Sequence, residues 1–295
     1  MTRTQEPVAV LGIGAMGHAM ATSALREGIP TIVWNRDPTA TRDLAAMGAQ
    51  VAESAADAAG RADIVITMVT DADAVLSIAR DGGALAAMQP GAIWAQMSTI
   101  GVAGTDRVAD LVRTERPDVT LLDAPVAGSR EPAERGHLTI FASGPDEARA
   151  RITPLFDALG QRTIWVGAVG AGSRLKLVNN TWVAFASEAI GNSLAVAHRL
   201  GLSTDTVVDA VSGGTLVSPW QEAKLHRIAV GDFSPQFSLT LALKDVHLAI
   251  DATRDEQLTA LAGLADEWER AVAAGLGDQD LTAVAQVLQP QGAPR

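Results

Sequence analysis

The sequence of 295 residues has no cysteine, few aromatic residues and no excess of basic charge. Without cysteine it can form no disulfide bond, thiolate nucleophile or cysteine-ligated metal site, which is typical of a reducing compartment. Lysine and arginine number 23 against 34 aspartate and glutamate residues, so the formal net charge is −11. Because nucleic acids are bound by basic surfaces, we expect no nucleic-acid partner.

Long hydrophobic runs are also missing. No apolar run reaches the roughly 18 residues that a membrane-spanning helix needs, and even the apolar region Leu175 to Leu202 contains Asn180, Glu188 and Arg199. The sequence begins MTRTQEPVAVLGIG, without the basic region, apolar stretch and cleavage site of a signal peptide. We therefore expect a cytoplasmic protein with no membrane partner.

Several signatures of other enzyme classes do not occur. There is no G-x-S-x-G of a hydrolase and no G-x-x-x-x-G-K-[ST] phosphate loop. The five histidines are widely separated, so no local His-x-x-x-His metal site exists and we expect no metal.

Residues 1–168 alternate short apolar runs with helical periodicity, which predicts a Rossmann domain, a doubly wound parallel α/β sheet with helices on both faces. The helical segments are predicted at Ala15–Gly28, Thr39–Met47, Ala72–Ala79, Val102–Arg113 and Asp146–Leu159. The strands are predicted at Val8–Ile13, Thr31–Trp34, Ile64–Val69, Ala92–Met97, Thr120–Asp123, Leu138–Ala142 and Thr163–Val166.

From residue 169 to 295 the strand pattern stops, and an all-helical C-terminal domain is predicted. A long interdomain helix of about residues 173–200 opens it, free of proline and ending at Gly201. The further helices are predicted at Thr204–Val211, Ser218–Val230, Thr240–Thr253 and Gln257–Ala274.

A G-x-G-x-x-G motif follows the first strand and opens a helix. It comprises Gly12, Ile13, Gly14, Ala15, Met16 and Gly17. Gly12 permits the tight turn, Gly14 lets the backbone approach a pyrophosphate, and Gly17 allows close packing of helix and strand. The N-terminus of the helix supplies N–H donors and a positive dipole. In this context the motif predicts a dinucleotide site.

The end of the second strand reads Trp34-Asn35-Arg36-Asp37. NAD enzymes commonly place an acid here for the ribose 2′-hydroxyl. A neutral Asn35 and a cationic Arg36 instead favour NADP(H), because a guanidinium pairs with the 2′-phosphate. Asp37 is interpreted as a cap for the helix near Pro38, and an ordinary surface role for Arg36 is the alternative.

Four more segments resemble the β-hydroxyacid dehydrogenases, the family of 3-hydroxyisobutyrate dehydrogenase. They are Ser98-Thr99, DAPVAGSREPAERGHLTIFASG at 123–144, GAGSRLKLVNN at 170–180, and FSLTLALKDVHLA at 237–249. Within the family, PVAGSREPAERGHL and AAGLGDQDLTAV are most similar to NADPH-dependent glyoxylate and succinic semialdehyde reductases. The resemblance implies an NADPH-dependent reductase of a small-molecule aldehyde or keto acid that forms a homodimer or homotetramer.

The resemblance also implies roles for single residues. Lys176 would be the general acid and Asn180 its partner, four residues apart on one helix face; a desolvated lysine has a lowered pKa, which suits proton donation near neutrality. Cofactor contacts would come from Val69, Thr99 and Lys244, in addition to the glycine motif, Asn35 and Arg36. Substrate contacts would come from Ser98, Ala127, Gly128, Ser129, Phe237 and Asp245.

Each of these roles has a structural alternative. Lys176 could extend its ammonium to solvent from an apolar helix, and Ser98 or Thr99 could cap the next helix. Lys244 and Asp245 could form an ordinary solvated pair, and Phe237 could belong to the core.

Two departures from the family pattern bear on the substrate. Gln96 stands where the family often has an acid or asparagine, and Ala127 stands where it usually has serine, so a hydroxyl expected on the substrate is absent. An imine reductase is one alternative function, although such enzymes usually lack the lysine. A non-catalytic NADPH-binding scaffold is another.

Overall fold

The computed structural model of the chain describes residues 6–253 and 258–288. The chain divides into two compact units, with the boundary between Lys176 and Leu177. All strands found among the described residues lie in the first unit, and a helix of 29 residues contains the boundary. No helix in these ranges is long and apolar enough to cross a membrane.

Six parallel strands form the main sheet of the first unit, in the spatial order β3-β2-β1-β4-β5-β6. Strands β1 to β6 are Val8–Leu11, Thr31–Trp34, Gln50–Val51, Ile64–Thr67, Ile93–Gln96 and Thr120–Asp123. Side chains alternate between the two faces, so Val8 and Val10 pack in one buried cluster while Ala9 and Leu11 pack in another. The predicted doubly wound α/β architecture is therefore confirmed.

Helices of the first unit pack on this sheet and on a smaller one. Helices α1 to α8 are Ala15–Arg26, Arg42–Ala46, Ala55–Gly60, Ala72–Ala79, Ala84–Ala87, Gly101–Glu115, Arg130–Glu134 and Arg149–Leu159. Helices α3, α5 and α7 were not predicted, because four to six residues are too few to show helical periodicity.

The last three strands leave the main sheet. Strands β7 to β9 are Val126–Ala127, Leu138–Ala142 and Gly160–Trp165, and they form a separate sheet in that order. Strand β7 runs antiparallel to β8, whereas β9 is parallel to it. The prediction of a single parallel pattern up to residue 166 was wrong here, since periodicity reports strands but not the sheet they join.

The named secondary-structure elements of the second unit, within its described residues, are all helices joined by loops. Helices α9 to α14 are Ala171–Arg199, Thr204–Val211, Pro219–Ala229, Leu239–Thr253, Thr259–Ala271 and Ala285–Leu288, and α9 begins within the first unit. The predicted long helix is two residues longer at its start than expected. The helix predicted at Gln257–Ala274 has its first residue outside the described residues. The observed helix ends at Ala271 and is followed by a π turn, Val272–Leu276, that contains Gly275 at φ +86°.

Candidate active site

The turn between β1 and α1 holds the glycines of the predicted dinucleotide motif. Gly12 has a φ of +101°, in the left-handed region that favours glycine, and a Cβ there would collide with the Met68 carbonyl and the Val69 side chain. A Cβ at Gly17 would overlap the carbonyl oxygen of Gly12. Helix α1 can therefore start this close to the turn only with glycine at both positions.

Gly14 and the first turn of α1 have the properties of a phosphate site. Gly14 is exposed, and in the described part of the chain no atom beyond its sequence neighbours lies within 4 Å of the place a Cβ would take. N–H groups in the first turn of a helix lack intrahelical partners, and the helix dipole attracts anions there. The first turn, from Ala15 and Met16 onward, contains no acidic residue. A dinucleotide pyrophosphate fits this helix end.

Asn35 ties the glycine turn to the end of β2. Its Oδ1 accepts a hydrogen bond from the Ile13 N–H at 2.9 Å, and its Nδ2 donates to the Asp37 carbonyl at 3.0 Å. The Asp37 side chain accepts from the Thr39 N–H at 2.9 Å and caps the 3₁₀ turn that starts at Pro38. Hydrogen bonds from the Thr39 side chain and backbone hold the pKa of Asp37 below its usual value. The capping interpretation of Asp37 is confirmed.

Arg36 lies between these two side chains in the sequence. It is exposed, and its guanidinium makes no hydrogen bond or ion pair within residues 6–253 and 258–288. An unengaged guanidinium next to Asn35 is a suitable partner for a 2′-phosphate. The residues present therefore fit NADP(H).

Ser98 joins the carboxyl ends of β4 and β5. Its buried hydroxyl accepts from the Val69 N–H at 2.8 Å and donates to the Thr67 carbonyl at 3.2 Å. The Gln96 amide accepts from the Ser98 N–H at 2.8 Å and donates to the Ser98 carbonyl at 2.9 Å. A carboxylate at position 96 could accept but not donate, whereas the Gln96 amide does both and so fixes the backbone of Ser98. The Ser98 hydroxyl in turn holds the Val69 N–H.

Neither Ser98 nor Thr99 is the N-cap residue of the next helix. Helix α6 starts at Gly101 with Ile100 at its N-cap position and no side-chain cap. Thr99 is half-buried. Its contact with a cofactor stays a prediction, as does a substrate contact of Ser98, whose hydroxyl is already engaged.

The predicted substrate loop passes through β7 into α7. Half-buried Ala127 pairs with Thr139 of β8. Gly128 has a φ of +126°, and a Cβ there would lie 2.7 Å from the Leu138 side chain, so glycine is required. Ser129 is at the N-cap position of α7 but its side chain does not cap the helix.

Helix α7 is in turn held against α1. The buried Ser23 hydroxyl of α1 donates to the Ala133 carbonyl at 2.8 Å, and Arg26 Nη1 donates to the Glu134 carbonyl at 2.5 Å. The helix predicted to bind the cofactor therefore also supports the loop predicted to contact the substrate.

Helix α9 begins against a buried carboxylate that the sequence analysis missed. Asp123, the last residue of β6, accepts from the Ser173 N–H at 2.8 Å and from the Ser173 hydroxyl at 2.7 Å. The Ser143 hydroxyl accepts from the Gly172 N–H at 3.0 Å, and Thr105 Oγ1 lies 2.9 Å from Ser173 Oγ. The only signal in the sequence was an acidic residue at the carboxyl end of a parallel strand, where sites commonly lie.

Lys176 lies three residues after Ser173 in α9. Only 8% of Lys176 is exposed, which differs from a lysine that extends its ammonium into water. Asn180 follows four residues later on the same helix face and is also buried. Both have the burial expected of site residues, and their catalytic roles stay predictions.

In the second unit, Asp245 of α12 is bonded to α9. Its Oδ2 accepts from Asn180 Nδ2 at 2.5 Å, and its Oδ1 lies 2.7 Å from Lys244 Nζ. Asn179, which was not predicted, donates to Asn180 Oδ1 at 3.0 Å. Because Asp245 is only 4% exposed, the alternative of an ordinary solvated pair with Lys244 is wrong.

A buried ion pair holds Phe237 just before α12. The Phe237 N–H donates to Asp280 Oδ2 at 3.3 Å, and its carbonyl accepts from the Leu281 N–H at 2.9 Å. Asp280 pairs with Lys224 Nζ at 2.8 Å. Burial would raise the pKa of Asp280, but the hydrogen bond and charge of Lys224 outweigh it and hold that pKa below its usual value. The two partners lie 56 residues apart in sequence, so no local pattern could predict them.

Two family models match most of the chain. Residues 7–167 match the NAD-binding domain of 6-phosphogluconate dehydrogenase. Residues 170–288 match the model described as NAD-binding of NADP-dependent 3-hydroxyisobutyrate dehydrogenase.

Individual relatives are similar over nearly their whole length. Glyoxylate/succinic semialdehyde reductase 1 of Arabidopsis thaliana is 32% identical over 286 residues, covering 96% of this chain and 98% of that protein. The 3-sulfolactaldehyde reductase of Escherichia coli strain K12 is 32% identical, with 94% of each chain covered. The crystal structure of 3-hydroxyisobutyrate dehydrogenase from Salmonella typhimurium superposes with a TM-score of 0.86 at 29% identity, covering 96% of this chain and 100% of that one.

Proposed function

Because this chain belongs to the β-hydroxyacid dehydrogenase family, we propose that it reduces a small anionic aldehyde or keto acid to the corresponding hydroxy acid. It is an oxidoreductase of hydroxyl and carbonyl groups, and its cofactor is NADP(H). The observation that carries the proposal is the buried Lys176 on α9, where the dinucleotide-binding unit ends.

In the proposed reaction, Lys176 is the general acid. When bound, the reduced nicotinamide supplies a hydride to the carbonyl carbon. The Lys176 ammonium donates a proton to the carbonyl oxygen as negative charge develops there, which yields the alcohol, and the neutral amine then takes a proton from solvent. Asn180 is bonded to Asp245 and is proposed to orient the substrate oxygen toward Lys176.

The remaining contacts of the site follow from the same proposal. Cofactor contacts are assigned to the glycine turn, Asn35, Arg36, Val69, Thr99 and Lys244. Substrate contacts are assigned to Ser98, Ala127, Gly128, Ser129, Phe237 and Asp245. We also propose residues 1–168 as the cofactor domain and 169–295 as the helical domain.

The substrate class is argued from the relatives and from one departure. Glyoxylate, succinic semialdehyde and 3-sulfolactaldehyde, which appear in the names of two relatives, are all small aldehydes that carry an acidic group. Ala127 removes a hydroxyl from the loop proposed to bind that group, so the chain has one donor fewer there. A substrate of the same class but with a larger or less polar body fits this change.

A homodimer or homotetramer is part of the proposal. Helix α9 carries an exposed apolar face that includes Val178 at 66%, Trp182 at 80% and Val196 at 56% exposure. Their spacing places them on one side of the helix, and exposed apolar patches of this kind mark interaction surfaces. Light scattering after gel filtration measures the assembly. A cytoplasmic location stays a prediction, which cell fractionation tests.

The test of the proposed function is Lys176→Met, which keeps the length of the side chain and removes the proton. We expect kcat to fall about 10²- to 10⁴-fold, the usual contribution of a general acid, while the Kd for NADPH stays the same. Arg174→Met, two residues earlier and exposed, is the matched control and should keep its turnover. Near-normal turnover of Lys176→Met with glyoxylate, succinic semialdehyde and uncharged aldehydes of similar size would contradict the proposal.

A further inference from the structure

We propose that Asp123 is a positioning residue for Lys176: its buried carboxylate fixes the first turn of α9 and thereby the place of the lysine one turn later. The inference rests on the proposed function, because it matters for turnover only if Lys176 donates the proton. Asp123 itself belongs to β6 and acts through the helix.

The cap of α9 comes from outside the helix. A helix usually takes its first hydrogen bond from the side chain that precedes it, but α9 follows Gly170, which has none and lies at φ +92°. Asp123, 50 residues away from Ser173, supplies the acceptor instead. The start of α9 is therefore fixed to the carboxyl end of the main sheet.

Two bonds to one residue fix rotation as well as position. Both carboxylate oxygens of Asp123 are engaged by Ser173, one by its N–H and the other by its hydroxyl. A single bond would allow the helix to turn about it, whereas a bidentate contact does not. Lys176 lies three residues on and on the same side of the helix, so its Cα is set by this contact.

Close packing removes the remaining freedom of this turn. The Ser143 hydroxyl accepts from the Gly172 N–H at 3.0 Å and lies 3.2 Å from Asp123 Oδ2. A Cβ at Gly172 would collide with the Phe141 carbonyl and lie 2.7 Å from the Asp123 carbonyl oxygen. The helix start is thus held at backbone contact with β6 and β8.

Stability alone would not favour a charged carboxylate at position 123 over an uncharged side chain. Burial raises the pKa of Asp123, although hydrogen bonds from Ser173 and Ser143 act against that rise. A buried charge costs stability unless it is well bonded. An asparagine would avoid the charge but has one acceptor oxygen, so it could not accept from Ser173 through two separate oxygens as Asp123 does.

The experiment is a double-mutant cycle between Asp123→Ala and Lys176→Met. We expect Asp123→Ala to lower kcat about 10- to 100-fold, because a small displacement of a reacting group has effects of this size. The Kd for NADPH, measured by fluorescence titration, should change less than about twofold. Replacing H₂O by D₂O should slow the variant more than the wild type, since proton transfer becomes more rate-limiting.

The cycle separates positioning from general damage. In the Lys176→Met background, Asp123→Ala should leave the residual kcat nearly unchanged, because residues that act as a unit are not additive. Equal losses in both backgrounds, or a loss of NADPH binding with no change in the D₂O effect, would overturn the inference. Normal turnover of Lys176→Met alone would instead overturn the proposed function.

Two further variants cover the case in which Asp123→Ala does not fold. Ser173→Ala removes one of the two bonds and keeps the backbone bond, so we expect a smaller loss, about 3- to 10-fold, with the same rise in the D₂O effect. Ser203→Ala removes a cap of α10 in the second unit and should leave kcat and the D₂O effect unchanged. An unchanged kcat and D₂O effect in Ser173→Ala would contradict the positioning role.

Discussion

Glu188 of α9 is a buried acid whose replacement by glutamine should stabilise the protein above neutral pH. Its Oε2 accepts from Trp268 Nε1 at 2.7 Å, and its Oε1 accepts from Asn192 Nδ2 at 2.6 Å. Burial, together with a hydrogen bond and like charge from Glu267, raises the pKa of Glu188 to about 7. Glutamine keeps the shape and an acceptor for Trp268 without the charge.

The direction in which pH changes the free energy of unfolding follows from proton binding. The native state keeps the Glu188 proton up to about pH 7, whereas the unfolded chain loses it near 4.5. Because the native state binds more protons between these values, the free energy of unfolding falls as the pH rises through this range. The full difference sets an upper limit of about 3 kcal/mol. The Glu267 side chain is 26% exposed, so solvent screens its charge and we expect ~1 to 2 kcal/mol.

The assay is the thermal midpoint of wild type and Glu188→Gln at several pH values. The variant should match the wild type at about pH 4 and exceed it by roughly 2 to 8 °C at about pH 8. Glu267→Gln should recover part of this gain, and Glu53→Gln, at an exposed site outside the cluster, should give none. A difference between Glu188→Gln and wild type that is constant with pH, or a less stable variant at pH 8, would refute the reasoning.

Two more predictions concern the cofactor and the buried ion pair. Arg36→Ala should reduce the preference for NADPH over NADH about 10- to 150-fold, the effect of one charge-assisted contact; steady-state kinetics with both cofactors measures it, and an unchanged preference would speak against Arg36. Asp280→Ala should destabilise the protein by about 3 to 5 kcal/mol, because it leaves the buried Lys224 ammonium without its carboxylate partner. Lys224→Met should cost less, because in that variant Asp280 still accepts hydrogen bonds from Gln236 and Thr282. Urea unfolding gives the order, and the reverse order would contradict it.

The sequence predicted those features that are determined by residues close together in the chain. The glycine spacing at 12–17 follows from local backbone limits, since Gly12 must adopt a positive φ and Gly17 must lack a Cβ. Strands β2 and β6 were predicted at their observed bounds, Thr31–Trp34 and Thr120–Asp123, because their apolar runs are short and bounded by polar residues. The resemblance to a family supplied the roles of Lys176 and Asn180, which helical periodicity alone could not.

The shortest strands were not predicted, because two residues are too few to show an alternation of apolar and polar side chains. Strand β3 consists of Gln50 and Val51, both exposed, and is a strand only because Ile32 and Val33 pair with it. Strand β7 has two residues, and its antiparallel pairing with β8 depends on the chain that returns through α7. Neither can be distinguished from a loop before its partner is in place.

Tertiary structure alone decided the polar contacts of the candidate site. Asp123 meets Ser173 across 50 residues of chain, and Asn180 meets Asp245 across 65. Glu188 meets Trp268 across 80 residues. Burial and Glu267 raise the pKa of Glu188, and the hydrogen bond from Trp268 acts against that rise. Periodicity shows which face of an element is buried, but the partner of a buried polar group depends on which elements pack together. Burial then makes that partner necessary, since an unpaired polar group in the interior is costly.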